Sequence, residues 1–182
     1  MKPYSHHYAA SASARAADNV MISAPDLPPI RTAAPPEFDG PGDGWSPEML
    51  LCAAIADCFV LTFRAVARAA HFDWFSLDCR VEGVLEHVGD TAQFTSFVTT
   101  ARLTIPQGAD TSNARRLLNR AKYGCLIANS LRGVQTLCAE VVVADDTPGP
   151  QASRAECGDK GIGLRATPQE QQYRGRAADM KR

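Results

Sequence analysis

The sequence predicts one domain that mixes helices with strands, in the order strands, long helix, strand hairpin, second helix, strand. Three observations carry that expectation. Residues 47–70 repeat apolar side chains at three- and four-residue steps behind a strong helix start. Two long alternating runs, 75–87 and 94–105, are separated by a short polar turn. Beyond Asp145 the composition shifts to Pro, Gly, Gln and charge. The domain is therefore expected over 1–145, with 146–182 a flexible tail.

Taken in order, residues 4–14 read as a first strand, with Val20-Met21-Ile22 as its return. Residues 25–45 hold six prolines and three glycines, the composition of a loop. Ser46 then caps a helix, Pro47 fits its first position with a fixed φ and no donor, and Glu48 places an anion where the dipole favours one. The expected apolar stripe of this helix is Leu51, Ala54, Ile55, Cys58, Leu61, Thr62 and Ala65. Cys52, six residues before Cys58, falls about 120° away on another face.

In the hairpin, Leu77, Cys79, Val81 and Leu85 share one face of the first strand. Phe97, Ala101, Leu103 and Ile105 share a face of the second. Asp110, Thr111 or Ser112 caps a second helix carrying Ala114, Leu117, Leu118 and Ala121. Gly124 interrupts it just before Cys125. Residues 127–131 suit one more helical turn and 135–144 a last strand.

Charge narrows the function. Nineteen Lys plus Arg against twenty Asp plus Glu leave a net of −1, which argues against a nucleic-acid binder held by counterion release. The longest uninterrupted apolar run is about eight residues against the roughly twenty of a membrane span, so no span is expected. The N-terminus shows no apolar signal region, and the chain is read as cytoplasmic. No cofactor is expected. The four histidines and six cysteines show no metal-ligand spacing, so no metal site is expected either.

The cysteines stand at 52, 58, 79, 125, 138 and 157. A reducing compartment disfavours a static disulfide framework, which leaves buried packing or a reactive thiol. Cys52, Cys79 and Cys138 sit in element patterns and read as packing, and Cys157 as an exposed thiol of the tail. Trp45 and Trp74 read as core or interface anchors.

Each predicted helix brings one further cysteine, Cys58 and Cys125. The segments WSPEMLLCAAIADCF and AKYGCLIANSL that contain them resemble the signatures of the osmotically inducible protein C and organic hydroperoxide resistance (OsmC/Ohr) family. The first signature is a Pro-Glu helix start with a Cys ten residues after the Glu, as from Glu48 to Cys58. The second is Ala-x-x-x-Cys running into Asn-Ser, as from Ala121 to Asn129-Ser130. The likeness spans about residues 8–144 and marks a divergent OsmC-like branch.

The resemblance implies an α+β, OsmC-like fold: an intertwined homodimer with two central long helices packed between antiparallel sheets. It implies a thiol-dependent peroxidase that reduces organic hydroperoxides, with Cys58 attacking and Cys125 resolving the product as a disulfide. Glu48 then matches the acid that holds an activating arginine. Arg15 is the best positional match for that arginine, with Arg31 a second candidate. The implied reductant is a dithiol such as a lipoyl-bearing protein. Two other readings stand beside it: a non-catalytic OsmC-like module that binds an apolar ligand, and a hot-dog thioesterase using Glu48.

The chemistry is sound on its own terms. Thiolate is the nucleophile, so a nearby cation assists it. The sulfenic acid left by attack must be trapped before further oxidation. An apolar stripe around Cys58 suits substrates that gain by burying an organic group.

Overall fold

The structure is a computed structural model that describes residues 5–16 and 18–144. The expectations for the 146–182 tail and for Cys157 lie outside the described residues.

Two three-stranded sheets and one long helix organise the chain. The first sheet is β1 (Ser11–Ser13), β2 (Val20–Ser23) and β3 (Ile30–Thr32), antiparallel throughout. The region read as a plain loop thus contains β3 and a 3-10 turn at Pro36–Phe38. The prolines flank the triplet Ile30-Arg31-Thr32 without entering it, so each of its amides can join the ladder. Thr32 is buried and bridges in parallel to Trp45, with Ala33 N–H donating to the Trp45 carbonyl at 2.9 Å.

Helix α1 (Pro47–Ala69) begins as expected: Ser46 Oγ accepts from Met49 N–H at 3.3 Å, and Pro47 occupies the first turn. Its buried ridge is Ile55, Phe59, Phe63 and Ala67. The expected stripe was rotated, for Leu61 is 51% exposed, and Ala54 and Ala65 are exposed too. The helix is apolar around most of its circumference, so spacing alone cannot say which side meets the sheet. The length argument against a span also needs correcting. Over an 18-residue window the mean hydropathy of α1 is 2.0, long and apolar enough to cross a membrane by length and composition, and 17% of that window is buried within the chain. The ridge on the sheet accounts for the buried share; the remaining apolar side has no partner among the described residues.

The second sheet holds β4 (Ser76–Val88), β5 (Thr91–Ile105) and β6 (Val134–Val143), with β5 in the middle. β4 and β5 form the expected hairpin, closed at Gly89-Asp90 with Gly89 at φ +62°. A bulge between Val84 and Leu85 shifts the alternation, and so Leu85 leaves the face of Leu77, Cys79 and Val81 and is exposed. The expectation of antiparallel sheets fails at β6, which pairs with β5 in parallel from Ser96↔Val134 to Ile105↔Val143. The reason is the intervening pair α2 (Thr111–Gly124) and α3 (Leu126–Asn129): two helices carry the chain back to the start of β5, the crossover that parallel pairing requires.

The main core joins Phe59, Phe63 and Ala67 of α1 to Ala101, Leu103 and Ile105 of β5 and to Ala114, Leu117, Leu118 and Ala121 of α2. Trp74 closes it edge-on to Phe63, ring centroids 5.2 Å apart. A smaller cluster of Ile55, Phe97, Cys125 and Ala128 lies at one end. That end is where the cysteines gather. Cys138 of β6, read as a packed free thiol, is disulfide-bonded.

Candidate functional site: a thiol pair beside an open cleft

Local sequence places Cys125. Asp110 caps α2 by accepting from Ser112 and Asn113 N–H at 2.8 and 3.1 Å, and the helix runs to Gly124. Cys125 follows in an extended conformation and starts α3, so its side chain turns under the α2–α3 corner. It is 1% exposed. Gly124 is needed at this corner, since a Cβ there would lie 2.9 Å from Cγ2 of Thr62 on α1.

Cys58 comes to the same point from α1. The two thiols lie within hydrogen-bond reach of each other, and Cys125 Sγ also approaches the Ile55 carbonyl at 3.8 Å. Burial pushes the Cys125 thiol up to about 11. The neighbouring Cys58 pushes the same way, while the amides of Ala128 and Ile127 oppose it. Residues 67 positions apart are thus joined in one apolar pocket, with Leu51, Phe94 and Leu131 packed around them.

Glu48 stands elsewhere. Ten residues before Cys58 on the same helix, it is about 15 Å away along the axis. Its Oε2 is buried without a hydrogen-bond partner. Arg31 donates to the Asp43 carbonyl and carboxylate at 3.3 and 3.4 Å, and Arg15 is exposed on the turn after β1. The structure therefore brings Cys58 and Cys125 together and leaves Glu48, Arg15 and Arg31 apart from them within the chain.

Glu48 lines a cleft of about 550 Å³ between the first half of α1 and strand β4, walled by Trp45, Met49, Cys52, Cys79, Val81 and Phe94. Cys52 and Cys79, read from the sequence as packing, face this space. Burial raises both thiols, Cys79 to about 12 and with a further push from Cys125. For Cys52, the Gly83 backbone opposes the rise and Glu82 adds to it. These thiols stay protonated at neutral pH, and buried thiols of this kind are poor nucleophiles. Gly83 sets the cleft floor: a Cβ there would lie 2.9 Å from Phe94 Cε1, against the stacked Phe94–Phe97 pair. The sequence signal for Cys79 was its inward strand phase; for the cleft itself no local signal exists, because it forms between two elements far apart in the chain. Among the described residues no group of three or more His, Cys, Asp or Glu is placed to hold a metal ion.

Known proteins share this fold. A family profile described as OsmC-like protein matches residues 40–137. An uncharacterized protein of Bacillus subtilis, YmaD, is 25% identical over 112 residues, which cover 60% of this chain and 75% of that one. An organic hydroperoxide resistance protein, OsmC, from Legionella pneumophila superposes with a TM-score of 0.61 at 24% identity, over 78% of this chain and all of that one. An OsmC-like protein of unknown function from Vibrio cholerae reaches 0.68 at 16% identity, over 76% of this chain and all of its own. With its profile match across the long helix, the hairpin and both cysteine segments, the chain belongs to the OsmC-like protein family.

Proposed function

We propose that the protein is a thiol-dependent peroxidase that reduces organic hydroperoxides. The observation that carries this reading is the Cys58–Cys125 pair, two neighbouring thiols at the junction of α1 with the α2–α3 corner. The names of the Legionella pneumophila and Elizabethkingia anophelis structures, both organic hydroperoxide resistance proteins, support the substrate class.

Cys58, as thiolate, attacks the outer peroxide oxygen. The O–O bond breaks, the alkoxide takes a proton to become the alcohol, and Cys58 is left as a sulfenic acid. Cys125 then attacks that sulfur, water leaves, and a Cys58–Cys125 disulfide remains for an external dithiol to reduce. The closeness of the thiols keeps the trap near the site of oxidation. Their packing in Leu51, Phe94 and Leu131 favours an organic substituent over bare hydrogen peroxide.

The working unit is a homodimer. Two features support it: α1 exposes an apolar side that the described residues leave bare, and β1–β3 make most of their contacts among themselves. A second copy covers both, and its arm supplies Arg15 as the cation held by Glu48, whose buried oxygen lacks a partner. The protein works in the cytoplasm, where a dithiol such as a lipoyl-bearing protein recycles it.

Thiol titration before and after one equivalent of cumene hydroperoxide tests the reading. Loss of two thiols, mapped to Cys58 and Cys125, supports it, and no rapid loss removes it. The cleft favours one other reading, a non-catalytic module, because its walls are mostly apolar and exclude Cys58. That module would bind an uncharged apolar ligand and lose no thiol.

A further inference from the structure

The outer face of α2 and α3 stands out electrostatically. From Thr111 to Ala139 the sequence holds Arg115, Arg116, Arg120, Lys122 and Arg132 and no Asp or Glu, in a chain whose net charge is −1. Arg116, Arg120 and Tyr123 project from one exposed side of α2, and Arg132 is exposed beyond α3. Arg116 and Arg120 are four residues apart, a like-charge pairing that weakens a helix rather than supporting it. Among the described residues none of Arg116, Arg120, Lys122 or Arg132 pairs with a carboxylate. Arg116 is instead held outward by Asn113 Oδ1 at 2.8 Å.

These cations share the α2–α3 region with exposed apolar side chains, and Lys122 Nζ lies 5.5 Å from the Tyr123 ring centroid. Tyr123 is 74% exposed, Leu126 66% and Ile127 38%. The three residues flank Cys125 in sequence at the α2–α3 corner, where its thiol is buried. An exposed apolar patch with a charged rim is the usual form of a protein-docking surface. Its place at the corner that holds Cys125 says what has to dock there.

We propose that the α2–α3 face is the docking surface for an acidic protein that delivers the reducing dithiol to the Cys58–Cys125 disulfide. The inference rests on the peroxidase reading above and specifies its partner. Carboxylates of the partner meet Arg116, Arg120 and Arg132, and its apolar dithiol-bearing segment meets Tyr123, Leu126 and Ile127. The dithiol attacks one sulfur of the disulfide and forms a mixed disulfide while the other sulfur leaves as a thiolate. The second partner thiol then closes the partner's own disulfide, and both protein thiols are recovered. The cations act mainly on the encounter rate, so their effect fades as salt screens them.

The test uses the full chain and two synthetic peptides with the same Cys-Gly-Pro-Cys dithiol, one flanked by glutamates and one by lysines. The protein is oxidised with one equivalent of cumene hydroperoxide, its thiols are counted, and reduction by each peptide is followed at low salt and at 0.5 M NaCl. The acidic peptide is expected to react at least ten-fold faster at low salt, with most of that advantage gone at high salt. In Arg116→Glu with Arg120→Glu the preference reverses. In the milder Arg116→Gln with Arg120→Gln it shrinks several-fold, while uncharged dithiothreitol reduces every variant at the same rate. Equal rates for both peptides overturn the proposal and leave the peroxidase reading intact. If peroxide oxidises neither Cys58 nor Cys125, both fall together. A loss of dimer mass in the charge-reversal variant also overturns it, because the face then joins two copies of this chain.

Discussion

The arm β1–β3 and the body built from α1, β4–β6 and α2 are made of the same kinds of residue and differ in what holds them. In the body, Phe63, Ala67, Leu103, Ile105 and Leu117 have no exposed surface. In the arm's strands only Thr32 is buried, while Met21 and Ile30 are 38% and 43% exposed. The arm's strands are three or four residues long, too short to stand alone in water. The body therefore carries its own stability, whereas the arm takes its order from what it rests on. The division extends to the proposed chemistry: Cys58 and Cys125 belong to the body, and Arg15 belongs to the arm.

The sharpest way to break this contrast is through catalysis. Cys58→Ser should abolish peroxide consumption, a loss of at least a hundred-fold, since an alcohol is a far weaker nucleophile than a thiolate. Cys125→Ser should allow one fast oxidation and little turnover. Arg15→Ala should slow the first step only about ten-fold, the effect of raising a nucleophile's pKa by roughly one unit. Stopped-flow measurement with cumene hydroperoxide separates these outcomes, and an Arg15 variant as dead as the Cys58 variant would make the arm part of the chemistry.

Stability gives the next largest difference. Phe63→Ala should cost about 3–5 kcal/mol in urea unfolding, because it opens a cavity where the side chain is wholly enclosed. Met21→Ala in the arm should cost under about 1 kcal/mol at low protein concentration, with a larger effect as concentration rises and copies associate. A concentration-independent cost would show the arm packed on its own chain.

Gly83→Ala should cost roughly 1–3 kcal/mol, since its new Cβ meets the Phe94 ring at 2.9 Å and the stacked pair must shift. The same change narrows the cleft, so binding of a fluorescent apolar probe should weaken with it.

The smallest effect is in alkali. Cys79 and Cys125 titrate near 12 and 11 when folded, against a reference of 9.0. Between pH 9 and 12 the unfolded chain loses these protons first, so ionisation favours unfolding and stability falls as pH rises. Below pH 9 both states keep the protons and the dependence vanishes. Cys79→Ala should flatten the decline of Tm above pH 9 relative to wild type; an unchanged slope would mean Cys79 is more open to water than its packing indicates.

Much of the body was legible because its signals are local. Ser46-Pro47-Glu48 fixed where α1 starts, Asp110 fixed α2, and the odd-numbered positions 97, 101, 103 and 105 fixed the buried face of β5. The two cysteine segments were equally clear, and the structure brings Cys58 and Cys125 into one cluster. The errors came where the deciding partner is distant. The stripe on α1 was misplaced because both sides of the helix are apolar and only the sheet chooses between them. The direction of β6 depends on a crossover, not on its own residues. Leu85 changed face through a bulge that alternation cannot register. The cleft beside Glu48 arises from the gap between α1 and β4, and no single segment encodes a gap.

The crossover that makes β6 parallel also sets the order in which the redox pair is assembled. The β4–β5 hairpin closes on neighbours in sequence, the kind of contact that forms within microseconds. β6 must wait until α2 and α3 have carried the chain back across the sheet, a non-local and slower step. Cys58 emerges from synthesis with α1, and Cys125 arrives 67 residues later, inside the returning segment. On the proposed mechanism, a nascent chain thus bears the attacking thiol for some time without its trap. An oxidant present during translation would carry Cys58 past the sulfenic stage, to an acid that Cys125 can no longer recover. On the proposed mechanism the finished fold is thus the protected state, and the nascent chain the vulnerable one.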